Sequence, residues 1–130
     1  MTAHARSVGA SGALFEISGS VANNATWSED IFFFEAGVGM DISELDWKMT
    51  FRCNPNSLTA ELTLSISGGT LSIEDDANSV PSILRINVPV GTLSNFSGDY
   101  IADLAAQDAA DKVTLWAHGI ISFTPNPVTF

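Results

Sequence analysis

The groups able to do chemistry in this chain are few and scattered. His4, Cys53 and His118 stand singly. Zinc takes histidine and cysteine in close pairs, so this spacing argues against a zinc site. A thiol nucleophile needs a base beside it, and no motif brings either histidine to Cys53. Cys53 is therefore expected as a small buried or half-buried apolar residue. The closest acids are Glu74-Asp75-Asp76, followed by Ala77-Asn78. Hydrolysis by paired carboxylates needs surroundings that push two pKa values apart, whereas a polar turn leaves these acids solvated. The same run offers oxygen ligands for calcium, but it lacks the alternating ligand spacing and downstream bidentate glutamate of a helical calcium loop. Serine hydrolysis would need a Gly-x-Ser-x-Gly elbow; Gly9-Ala10-Ser11-Gly12 falls short of one and sits in an N-terminal tail. Gly37-Val38-Gly39 lacks the third glycine and the receiving helix of a phosphate loop. No enzyme, metal or cofactor is expected.

The aromatic residues suggest recognition instead. Trp27, Trp47 and Trp116 could form a sugar-stacking platform, which makes a stand-alone carbohydrate-binding or adhesive module the second reading of the chain. Trp47 alternates in phase with Met49 and Phe51, and so belongs in a core between sheets. In Val113 to Phe123 strict alternation places Val113, Leu115, Ala117, Gly119, Ile121 and Phe123 on one side, with Trp116, His118 and Ile120 on the other. An outward stripe of Trp116, His118 and Ile120 marks an interface. On that reading a charged residue at Trp116 weakens assembly and leaves the monomer folded.

The elements that must carry these residues are short strands. Period-two alternation runs through residues 13–21, 26–35, 46–53, 58–66, 70–73, 82–88, 98–104 and 113–123. Asn23-Asn24, Asn54-Pro55 and Glu74 to Asn78 supply turns, and Gly68-Gly69 reads as a hairpin link between its flanking segments. Three consecutive phenylalanines, Phe32 to Phe34, imply cover on both faces of their strand. The helix candidates are one-turn pieces near Ile42 and Leu93, while Ala105 to Asp111 reads as a hairpin loop. About seven to nine strands with Gly, Pro and Asn turns give an all-β, antiparallel β-sandwich over residues 13–130, preceded by a flexible tail over 1–12.

A chain of 130 residues fits one domain with a core of its own. The formal charge of −10, from 15 acidic and 5 basic residues, opposes binding to nucleic acid or to an anionic membrane. No apolar run reaches the ~18 to 20 residues of a membrane span, and no apolar segment follows the N-terminus as a signal peptide would. Synthesis in the cytoplasm is expected.

With the strands in order, the chain resembles the immunoglobulin-like N-terminal domain of phage upper baseplate proteins and related prophage structural proteins. The residues that carry the resemblance are Thr26 to Phe34, Asp41-Ile42-Ser43 leading to Phe51-Arg52, the pair around Gly68-Gly69 and the strand Ile83 to Val88. To these add Gly98-Asp99-Tyr100-Ile101-Ala102-Asp103-Leu104, Gly119 in the last strand and the proline-bearing end Thr124 to Thr129. The resemblance implies an immunoglobulin-like fold in which Tyr100 is a tyrosine corner, a folding device. It also implies a non-enzymatic structural protein of a phage or prophage virion, from the tail or baseplate and made in the bacterial host cytoplasm. Its partners would be copies of itself in a homo-oligomer or other virion proteins.

Overall fold

A computed structural model of the chain describes residues 3–9, as backbone alone, and residues 15–125. Its elements are β1 (Ala3–Gly9), β2 (Phe15–Ala22), β3 (Trp27–Glu35), β4 (Val38–Gly39), β5 (Asp46–Arg52), β6 (Leu62–Ser65), β7 (Leu71–Glu74), β8 (Ile83–Val88), β9 (Gly98–Gln107) and β10 (Val113–Thr124). One sheet has the order β1-β3-β8-β7, with β4 paired to the end of β3; the other has the order β2-β10-β9-β5-β6. Pairing is antiparallel except for β1 on β3 and β2 on β10. The protein is all-β among the described residues, and its two sheets form a sandwich.

Alternation decides the inner faces. On β5, Trp47, Met49 and Phe51 are buried; on β8, Leu84, Ile86 and Val88; on β9, Ala102, Leu104 and Ala106. Rings from the two sheets meet edge-on or tilted across the middle. Phe33 of β3 lies 4.9 Å from Trp47 and 5.5 Å from Trp116, and Trp27 lies 5.9 Å from Phe51. Such tilted aromatic contacts each add roughly 0.5–1.5 kcal/mol beyond the area they bury.

Several expectations are corrected. Ala3–Gly9 is a strand on the edge of β3, where a flexible tail was expected. β3 is an edge with unpaired ladder groups, and a parallel strand satisfies them. The remainder of residues 1–12, and the proline-bearing end beyond Pro125, lie outside the described residues. Gly68-Gly69 does not close a hairpin, because β6 pairs with β5 and β7 with β8 in opposite sheets. The pair of glycines carries the chain across the sandwich, with Gly69 at a φ of 79° that side chains rarely adopt. No helix forms among the described residues, so none is long and apolar enough to cross a membrane. At Asp41 the side chain accepts the Ser43 N–H at 2.8 Å and closes a turn without a helix. β9 runs on through Ala105 to Gln107, so the hairpin turn begins only at Asp108, whose carboxylate accepts the N–H groups of Ala110 and Lys112, each at 2.9 Å. Cys53 lies beyond the end of β5 and is exposed, because alternation lapses where the strand stops. Cover on both faces of β3 is incomplete: Phe33 is buried, while Phe34 is exposed on the outer side.

Between β3 and the turn before β8, Gly39 makes a close approach. A Cβ there would meet the Asp76 Oδ2 at 2.2 Å. That carboxylate organises its turn, accepting the Ser82 hydroxyl at 2.7 Å and the N–H groups of Asn78 and Val80. The Ser82 hydroxyl, helped by the backbone N–H groups, holds the Asp76 carboxyl below its usual range. Gly39→Ala is expected to displace this carboxylate and lower stability by about 1–3 kcal/mol, read from urea denaturation midpoints.

Candidate functional site

The outer face of the β2-β10-β9-β5-β6 sheet holds the residues that the sequence marks for an interface, in altered membership. In the β9–β10 ladder Leu115 faces Ala105 and Ala117 faces Leu104, so Trp116 is an extra residue in a β-bulge. The bulge reverses the phase of alternation. Trp116 and Ala117 both turn inward, at 8% and 0% exposure, and Val113 and Leu115 turn out to solvent. Trp116 is thus removed from the stripe, and Leu115 replaces it. His118 and Ile120 remain on the outside, as their position beyond the bulge requires; Ile120 is 53% exposed.

Ladder registers assemble the surrounding grid. His118 lies between Asp103 on β9 and Glu16 on β2, and Ile120 lies between Ile101 and Ser18. A string of charge runs diagonally across these rows, since Arg52 on β5 faces Ile101 and reaches Asp103 from the next row. The His118 Nδ1 is 2.6 Å from Asp103 Oδ1, and the Arg52 Nη2 donates to Asp103 Oδ2 at 3.0 Å. An ionised carboxylate only accepts, so Nδ1 carries the hydrogen and, in the neutral ring, Nε2 is an acceptor. Arg52 also donates to the carbonyls of Pro55 and Ser57, tying the string to the turn after β5. Beyond the Ile120–Ile101 row, the Ser122 hydroxyl donates to Asp99. Local alternation brings each of these residues outward, but only strand pairing makes them neighbours. Sequence reasoning singled out His118 and missed Asp103, Arg52 and Glu16, whose one local signal is outward phase on their own strands.

An open groove of about 560 Å³ crosses β10 on this face, with Phe15, Glu16, Ile101, His118 and Ile120 among its walls. Its volume falls within the range of about 300–1,000 Å³ common for ligand sites. A second groove, of about 440 Å³, lies on the opposite sheet beside Phe32, Phe34, Gly39 and Asp76.

The other residues of chemical interest are placed apart. The Cys53 Sγ donates to Glu61 Oε1 at 2.9 Å, and this hydrogen bond to a carboxylate, with desolvation, raises the thiol pKa. A raised pKa disfavours the thiolate that a nucleophile or metal ligand requires. Of the acids Glu74, Asp75 and Asp76, Asp76 is engaged in its turn and Glu74 lies 3.5 Å from Arg85. No three His, Cys, Asp or Glu side chains gather as metal ligands among the described residues. Tyr100 sits at the start of β9 with its ring 5.6 Å from Phe96 and 5.4 Å from Phe123. Its hydroxyl makes no hydrogen bond to upstream backbone among the described residues, so the bond that defines a tyrosine corner is missing and the ring acts by packing. Burial, and then the Glu61 charge, raise its pKa. Nearby, the Asn23 side chain donates to the Phe96 carbonyl at 2.8 Å, supplying a cross-loop tie of the kind expected from Tyr100.

No family model matches the chain, and no curated protein matches it.

Proposed function

We propose that the chain is a non-enzymatic structural component of a phage or prophage virion, of tail or baseplate type, acting through protein–protein contacts with other virion proteins or with further copies of itself. The observation that carries this reading is the pair of exposed apolar residues Leu115 and Ile120, with half-buried Ile101 facing Ile120 across the ladder, on the outer face of the β9–β10 pair around the bonded set His118, Asp103 and Arg52. A sheet face that leaves large apolar side chains in water suits burial against another protein.

The fold is read as immunoglobulin-like. Strand order β3-β8-β7 opposite β2-β10-β9-β5-β6 corresponds to B-E-D against A′-G-F-C-C′ of such sandwiches, and the buried Trp47 on β5 stands at the strand C position. The missing tyrosine-corner bond is a departure from the antibody-like pattern. The carbohydrate-binding reading loses its platform, because Trp27, Trp47 and Trp116 are all buried.

The test is solution mass by light scattering over a range of concentrations. The parent chain is expected to associate, more strongly at higher salt because screening relieves repulsion between copies carrying −10 each. The double variant Leu115→Asp, Ile120→Asp is expected to remain monomeric with an unchanged melting temperature. Identical masses for parent and variant at every concentration would reject the strip as a contact surface.

A further inference from the structure

The groove across β10 has a composition that selects its occupant. Glu16, directly across the ladder from His118, makes no hydrogen bond or ion pair among the described residues, so its carboxylate is free to accept. The His118 Nδ1–H is engaged by Asp103, so whenever the ring is neutral its Nε2 is a second acceptor. Asp103 itself is satisfied on both oxygens, by His118 and Arg52. Around these two acceptors Phe15, Ile101 and Ile120 form apolar walls.

A site with a free carboxylate, a ring-nitrogen acceptor and apolar walls complements a group that only donates, bears positive charge and has apolar faces. The arginine side chain fits: its guanidinium is planar, permanently charged and weakly hydrated, and its stem is apolar. A lysine ammonium matches the charge but is more strongly hydrated and lacks flat faces to lie against the phenyl ring. A second copy is a poor source. It brings a formal charge of −10, which opposes its approach to an acidic groove.

We propose that this groove receives an arginine side chain from a different, basic protein. The proposal rests on the reading of this sheet face as a contact surface, and it names the partner chemistry for the β2 side of that face. Electrostatic complementarity then sets partner choice and the rate of encounter.

The experiment titrates the isotopically labelled full-length chain with the peptide acetyl-Val-Arg-Val-Arg-Val-amide, followed by amide chemical shifts. Counterparts carrying lysine or glutamate in place of arginine serve as comparisons. Shifts are expected at Glu16, Gly119 and Ile120, with the arginine peptide binding tighter than the lysine one and the glutamate peptide silent. Glu16→Gln, at an exposed position, is expected to weaken binding by about tenfold, and raising salt from about 0.05 to 0.5 M is expected to weaken it further. Equal binding of the glutamate peptide, shifts confined to another face, or no shifts up to about 10 mM peptide would each overturn the proposal. Loss of the peptide site with association intact refutes the arginine groove alone. A working peptide site with no effect of the Leu115 and Ile120 substitutions on mass refutes the self-association surface alone.

Discussion

Gly119→Ala is expected to unfold the chain or leave it with only a fraction of its stability. Gly119 lies inside β10 opposite Ile17 of the parallel strand β2, and a Cβ there would sit 1.7 Å from the Ile17 carbonyl oxygen, 2.7 Å from its carbon and 3.0 Å from its nitrogen. All three are backbone atoms, so no change of rotamer relieves the overlap. Either β2 leaves β10, withdrawing the buried Ile17 and Val21 from the core, or the ladder breaks in the middle of the sheet. Overpacking a core ordinarily costs about 1–3 kcal/mol, and an overlap with fixed backbone exceeds that range. Against a total stability of about 5–15 kcal/mol the loss is disabling. Gly37→Ala provides the comparison. Gly37 has a φ of 78° but open space where the methyl group would go, so that variant bears only the left-handed backbone cost of about 1–2 kcal/mol. Urea denaturation ranks the two. A Gly119→Ala midpoint equal to or above that of Gly37→Ala would show that β2 does not approach β10 in this way.

The second large effect separates two adjacent residues. Trp116→Ala is expected to cost about 3–5 kcal/mol, the usual range for removing a large aromatic from a core. The ring lies 5.5 Å from Phe33 and 5.6 Å from Trp47, and its removal opens a cavity between the sheets. Trp116→Asp, which strict alternation would tolerate on the surface, is expected to abolish folding, since it places an unpaired charge in that cavity. Leu115→Asp, one residue earlier and exposed, is expected to leave the melting temperature within a degree or two, equivalent to less than about 0.5 kcal/mol. Thermal melts with near-ultraviolet circular dichroism read both outcomes. A folded, native-like Trp116→Asp chain would remove the bulge and restore an unbroken alternation.

Much of the fold is legible in the sequence. The alternation of Trp47, Met49 and Phe51, of Leu84, Ile86 and Val88, and of Ala102 and Leu104 marks both the strands and their buried faces, because a residue's face in a strand depends on its own phase. The β9–β10 hairpin is legible for the same reason. Trp116 is not, because a bulge is a property of two strands together: Val113 and Leu115 are as apolar as the residues beyond it, and nothing on β10 alone signals a change of phase. Gly68-Gly69 shows a similar limit. A flexible link marks a reversal, but whether the chain returns to the same sheet depends on whether β7 finds a better partner in β8 than in β6.

The candidate site divides in the same way. His118 and Ile120 stand two apart on one strand, so their shared outward face follows from the sequence. Asp103, Arg52 and Glu16 come from three other strands, separated along the chain by tens of residues, and their meeting with His118 follows from registers set by closure of the sheet. The sequence by itself determined an all-β chain, most of its strand positions apart from β1 and β4, and most of its inward residues, since these rest on local periodicity. Tertiary structure alone decided that Trp116 belongs to the core, that Gly119 yields its side-chain space to the Ile17 backbone, and that a free carboxylate stands beside His118. Each of these depends on which strands lie side by side, and pairing is a long-range outcome of packing two apolar faces together.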